Sequence, residues 1–130
     1  VELIEDVALY LEGQSGMGVV YRQGFPQEPV SAISVMTIGG TNPPGDPVTR
    51  PSFQVSVRRT SKREGLAKAT EIHGLLHNKW SDAGGTVLQE RLGRILAEMV
   101  PGNFYTDESD NFIFTVNFYM VLAPGSPGGS

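Results

Sequence analysis

The chain has 130 residues, no cysteine, and ten basic against fourteen acidic side chains, for a formal net charge of −4. That length suits one domain with a real core. The missing cysteine excludes a disulfide framework and any thiolate metal site, and the acidic balance argues against nucleic acid as the main partner.

Leu3, Ile4, Val7, Ala8 and Leu11 recur at helical spacing. Glu2, Glu5 and Asp6 fill a first turn in which the macrodipole favours negative charge, and Gly13 ends the helix. Those acidic residues also stand where an export signal would carry positive charge. Gly16, Gly18 and Gly24 punctuate a segment over Val19–Arg22 that reads either as an edge strand or as plain extended chain. β-Branched residues and alternation predict a strand over 30–38, broken by Gly39-Gly40. The proline-rich stretch Thr41–Arg50, TNPPGDPVTR, is a constrained loop joining two strands expected to pair.

Pro51 opens the next strand, where Phe53, Val55 and Val57 alternate with Gln54, Ser56 and Arg58. Ser61 and Glu64 then form a capping box for an amphipathic central helix. Its apolar arc holds Leu66, Ala69, Ile72, Leu76 and Trp80, with Lys68, Glu71 and Lys79 largely opposite and Gly84-Gly85 as a left-handed stop.

Leu88, Leu92, Ile95, Leu96 and Met99 fit a helix by spacing, and Thr86 with Gln89 imitates a cap. Gly93 and the hairpin-like sequel over 106–111 speak for a strand. Periodicity alone favours the helix. Phe112–Leu122 is the clearest strand, with Phe112, Phe114, Val116, Phe118 and Met120 on one face and Ile113, Tyr119 and Val121 on the other. It is expected to be central and at least partly covered on both sides. Ala123–Ser130 has no apolar anchor and is expected to be a disordered Gly/Pro/Ser tail, leaving 1–122 as a single domain.

No run approaches the roughly 20 apolar residues that span a bilayer, so no membrane partner is expected. The candidates for chemistry are poor. His73 and His77 stand four apart as two metal ligands would, yet the chain holds no other histidine, so packed or rim histidines are the plainer reading. Gly13, Gly16 and Gly18 resemble a phosphate loop without the G-K-[ST] that would complete it. Asp107, Glu108 and Asp110 lack the order of a calcium loop and read as a solvated hairpin tip. No nucleophile elbow or triad is evident, so no catalytic residue, metal or cofactor is expected and the protein reads as a non-enzyme.

What remains are surfaces. Arg58, Arg59, Lys62 and Arg63 form the one dense basic cluster, at a strand-to-helix turn. It is either a solvated turn or an electrostatic contact with an acidic patch or phosphate. Base-stacking aromatics are not interleaved with it, which weakens a nucleic-acid reading. Leu75 projects from the polar side of its helix and Phe104-Tyr105 fall in a predicted loop, both candidate interface groups.

The order of elements VELIEDVALYLE, PVSAISVMTIGG, RPSFQVSVR, AKATEIHGLLH and a closing P-x₃-Y-x-D-x₃-NFIFTVNF resembles the tail-terminator, or minor tail-completion, proteins of long-tailed bacteriophages. The resemblance runs from about Glu2 to Leu122 and implies that about Arg91–Met99 is a strand paired with the last one, with Pro101–Asn111 as a long hairpin connection. The implied fold is α+β: an N-terminal helix and the central helix packed on a mixed or antiparallel sheet of four to five strands. The implied function is structural: a ring, commonly hexameric, that caps the tail tube, stops its polymerisation and joins the tail to the head connector. A head-completion or neck connector ring protein is the alternative, and a small nucleic-acid-binding module a weaker one. Expected partners are further copies of the chain, the tail tube protein and the connector or stopper protein, with DNA passing through the ring without specific binding. The expected location is the tail or neck of the virion, after assembly in the host cytoplasm. Arg58–Arg63 and Asp107–Asp110 would supply complementary patches at separate places, and Pro43, Pro44, Asp46 and Arg50 of the proline-rich loop would meet the tube or connector.

Overall fold

Alternation in the long strands decides which face of the sheet is dry. The computed structural model describes residues 3–41, 50–81 and 93–122. Two helices, α1 (Leu3–Glu12) and α2 (Lys62–Leu76), accompany β1 (Val20–Arg22), β2 (Ala32–Thr41), β3 (Arg50–Arg59), β4 (Lys79–Ser81), β5 (Gly93–Ala97), β6 (Phe104–Thr106) and β7 (Phe112–Leu122). The strand order is β1-β2-β3-β7-β5-β4, and β6 pairs with β7 beside that path. β1 runs parallel to β2 and every other pair is antiparallel, so the sheet is mixed. The α+β class holds.

Residues that face one another across a ladder share a face of the sheet. Arg22 stands level with Val35, Val35 with Val55, and Val55 with Val116. Arg22 reaches α1, whereas Phe114, two positions from Val116, lies against Gly65 of α2. Both helices therefore cover the same face. Phe53, Val55, Val57, Phe114, Phe118 and Met120 are buried beneath them, each fully buried large side chain contributing roughly 1.5–3 kcal/mol. The opposite face is polar, with Gln54 Nε2 donating to Asn117 Oδ1 at 2.9 Å. On it Ile113 is buried, Tyr119 half-buried and Val121 exposed, so the expected second cover over β7 is partial.

The α1 prediction is met by Ile4, Val7, Ala8 and Leu11, all buried, and the Gly13 N–H closes the helix on Leu9 O at 3.1 Å. Val19–Arg22 resolves into an edge strand. It is bound to α1 through Arg22, whose guanidinium meets Glu5 at 3.0 and 3.1 Å and Glu12 at 3.2 Å. Burial pushes the Glu12 carboxyl up, but the Val20 N–H and Arg22 outweigh it and hold the group below the usual carboxylate range. Ser61 Oγ accepts from Glu64 N at 3.3 Å, the expected hydroxyl half of the α2 cap.

Several expectations need correction. Gly39-Gly40 does not break β2, which shifts register after Thr37 and pairs on through Gly40 and Thr41 with β3. The sheet has seven strands among the described residues, not four to five, because β4 and β6 are recruited by pairing although three residues are too few to show an alternation. α2 stops at Leu76, and Asn78, with φ 62°, turns the chain into β4, so Trp80 belongs to a strand. Gly84-Gly85 lies outside the described residues. Leu66 is exposed, and Gly65 takes the sheet-facing position in its place. Finally, β5 is a strand paired with β7, as the family resemblance implies and against the helical spacing. Ile95 is its one fully buried large residue, so the repeat that suggested a helix was not a packing stripe.

Gly65 and Gly74 sit on one helix in opposite situations. A Cβ at Gly65 would lie 2.7 Å from the Phe114 ring, a buried group with no room to retreat, whereas one at Gly74 would meet nothing within 4 Å. Gly65→Val is expected to destabilise by about 1–3 kcal/mol through overpacking. Gly74→Ala is expected to stabilise by about 0.5–1 kcal/mol, because alanine restricts the unfolded chain and favours helix. Urea unfolding of the two variants checks both signs.

Candidate functional site

The basic turn is a set of separate devices. β3 ends at Arg58 and Arg59, which the pleat sends to opposite faces. Arg58 crosses the polar face and donates to Val30 O at 2.7 Å, Pro29 O at 3.1 Å and Pro26 O, with its guanidinium 4.8 Å above the Phe25 ring. It thereby ties down the loop between β1 and β2. Arg59 donates through Nη1 to Ala32 O at 3.3 Å and to Arg58 O at 2.9 Å. Burial lowers its pKa and the charge of Glu64 opposes that effect. Lys62 places its ammonium 4.7 Å over Phe104, a cation–π contact. Arg63 is exposed.

The acidic tip is equally organised. The Asp107 carboxylate accepts from the N–H groups of Ser109 and Asn111, both at 2.9 Å, and from Asn111 Nδ2 at 3.1 Å. The Asp110 N–H bonds Asp107 O at 3.1 Å, with Asp110 itself at φ 61°. Asp107 is thus the hub of the turn, which leaves Glu108 and Asp110 as its outward charges. The hairpin tip read from the sequence is observed. The tip and the basic turn lie at the same end of the sheet, not at separate places, because Arg59 stands level with Phe112 and Arg58 with Ile113.

Phe104 and Tyr105 are in strand β6, not in a loop. Phe104 is 40% and Tyr105 55% exposed, and the Phe104 ring lies 5.7 Å from Phe112 and 5.3 Å from Phe114. Leu75 is half-buried and packs against the core, so it is a weaker surface feature than its place on the helical wheel suggests. Arg50 opens β3 opposite Thr41, while Pro43, Pro44 and Asp46 lie outside the described residues.

His73 and His77 stack with centroids 4.9 Å apart. His77 Nδ1 accepts the Ala97 N–H at 3.0 Å and so closes part of the β5 edge. Burial, and then the charge of His77, hold the His73 pKa below its usual value. Among the described residues no group of three or more His, Cys, Asp or Glu side chains stands ready to hold a metal.

Two surface features escaped the sequence reading. Between β5 and β6 the chain leaves β7 over 99–102, between the bonds Glu98 N–H to Asn117 O and Thr115 N–H to Asn103 O, and Met99 is 62% and Val100 75% exposed. The Pro101-Gly102 pair was the available signal for this break. The second is a cavity of about 210 Å³ whose lining includes Met17, Val19, Tyr21 and Ile33, with Arg59 at its wall. No local motif announces it, since it joins residues about 40 positions apart.

The chain belongs to the bacteriophage tail terminator protein family, whose family model matches residues 9–124. No curated protein matches the chain.

The tip supplies a test of its own. Asn111 and Ser109 bond the charged form of Asp107 and hold its pKa below the usual carboxylate range. A depressed carboxylate pKa means that the turn's stabilisation is present above the unfolded-state value and lost as pH falls through the folded one. Amide exchange by NMR is expected to show the Ser109 and Asn111 N–H groups protected at pH 7 and losing protection below about pH 4. Asp107→Ala is expected to lose that protection at every pH.

Proposed function

We propose that this protein is the terminator of a phage tail, forming a ring of six copies that caps the tail tube, stops its growth and joins the tail to the head connector. The family match over 9–124 carries the reading, because it runs from the last turn of α1 through every strand to the end of β7. A ring needs heterologous contacts, in which one patch of a subunit meets a different patch of the next. The two lateral sides of this sheet do differ. One presents β1 with α1 and the Arg22 cluster, and the other presents the aromatic β6 with the bulge over 99–102. The net charge of −4 suits a channel through which DNA passes without being held. The ring is part of the virion tail and assembles in the host cytoplasm, with the tube protein and the connector as its partners. The proline-rich stretch 42–49 between β2 and β3 is the proposed contact with one of them, its prolines limiting the entropy lost on docking.

Purified protein added to growing tail tubes is expected to arrest their elongation and to appear as a ring at one end by electron microscopy. Tubes that elongate at an unchanged rate would sink the reading. Replacing residues 42–49 by a Gly/Ser linker is expected to leave the thermal melt within a few degrees of the parent while abolishing attachment to the tube or to the head. Normal attachment of both kinds would remove the loop from the proposal.

A further inference from the structure

We propose that the cavity beside Arg59 receives the acidic hairpin tip, Glu108 and Asp110, of a neighbouring copy of this chain. The inference rests on the ring reading and specifies one contact within it. Arg59 has five N–H donors, and its bonds to Ala32 O and Arg58 O employ only Nη1. Among the described residues no carboxylate lies within ion-pair distance of it, and Glu64 acts only at longer range. A half-buried guanidinium in that position is stabilised by an incoming carboxylate, and its planar fork matches one. The cavity holds about 210 Å³, and Val19 at its mouth is 62% exposed, so an apolar contact is available beside the charged one.

The backbone next to the cavity favours a side-chain contact over strand addition. The Val20 N–H is donated to Glu12 at 2.9 Å and Val20 O accepts from Arg22 at 2.6 Å, so this edge of the sheet has its outward groups at Val20 occupied. The tip is preorganised for insertion. Asp107 locks the turn from within and leaves Glu108 and Asp110 exposed. Within one chain the Arg59 guanidinium turns toward Ala32 of β2, whereas the tip joins β6 and β7 on the other side of β3. Both features lie at the same end of the strands, since the row Ala32–Arg58–Ile113 passes beside each. A tip between one pair of strands meeting a cavity beside another on the next subunit is a heterologous contact, the kind a ring is built from.

The test uses the intact chain. Glu108→Lys with Asp110→Lys, which spares Asp107, is expected to lower the self-association constant on the order of 30-fold by sedimentation, with an unchanged thermal melt. The absence of native cysteine permits a second, independent readout. Mixing Val19→Cys with a size-tagged Glu108→Cys under mild oxidation is expected to yield a covalent heterodimer. Val19→Cys mixed with Ala67→Cys, a residue exposed on α2, should not. Wild-type-like association of the charge-reversed variant, together with no heterodimer above the Ala67→Cys control, overturns this contact and leaves the ring standing. A wild-type chain that associates neither alone nor on tail tubes removes the ring and this contact with it.

Discussion

The pairing of β7 is the constraint on which the rest of the structure depends. Along one edge its residues match β3 from Phe112 to Tyr119, and along the other they match β6 and then β5. The Phe53 and Phe118 rings stack across the first ladder at 5.3 Å, and Phe114 receives the close approach of α2 at Gly65. Because side chains alternate with a period of two, a one-residue slip here would turn every buried aromatic toward the polar face. Only the observed register keeps Phe114, Val116, Phe118 and Met120 together beneath the helices.

That single dry face shapes the functional surface. With both helices on one side of the sheet, the strands' ends and lateral edges are where charged and aromatic groups accumulate. The basic turn illustrates how such groups divide. Arg58 holds a loop through three carbonyls, Lys62 covers an aromatic ring, Arg59 sits half-buried at a cavity and Arg63 reaches water. Four neighbouring cations thus do four different things. A cluster largely committed to internal contacts is a poor platform for a nucleic-acid backbone, which needs several free cations at once.

The edges of the sheet are managed unequally. At β1 the Glu12–Arg22 pair occupies the Val20 backbone, and at β5 the His77 ring caps the Ala97 N–H. β6 instead carries exposed aromatics, and the bulge before it carries exposed Met99 and Val100. Closed edges discourage indiscriminate strand addition, while the apolar region marks a side with capacity for contact. In a protein of the tail terminator family, the two lateral sides therefore differ in chemistry.

The sequence by itself determined the features that act over a few residues. The apolar stripe of α1, the Ser61 cap, the alternation of β3 and β7 and the acidic turn were all legible, because caps and periodicity depend on near neighbours. The basic cluster and the aromatic pair were legible as candidates, but not their partners. Periodicity misled over 93–97, where only the family resemblance implied the strand, and tertiary structure alone decided that three-residue segments join the sheet and that Gly65, not Leu66, meets it. It also decided where each arginine goes and which residues enclose the cavity. These outcomes rest on groups far apart in the chain, such as Arg58 and Val30 at 28 positions or Gln54 and Asn117 at 63. No local preference encodes such a pair, because its energy exists only once the strands between have been placed.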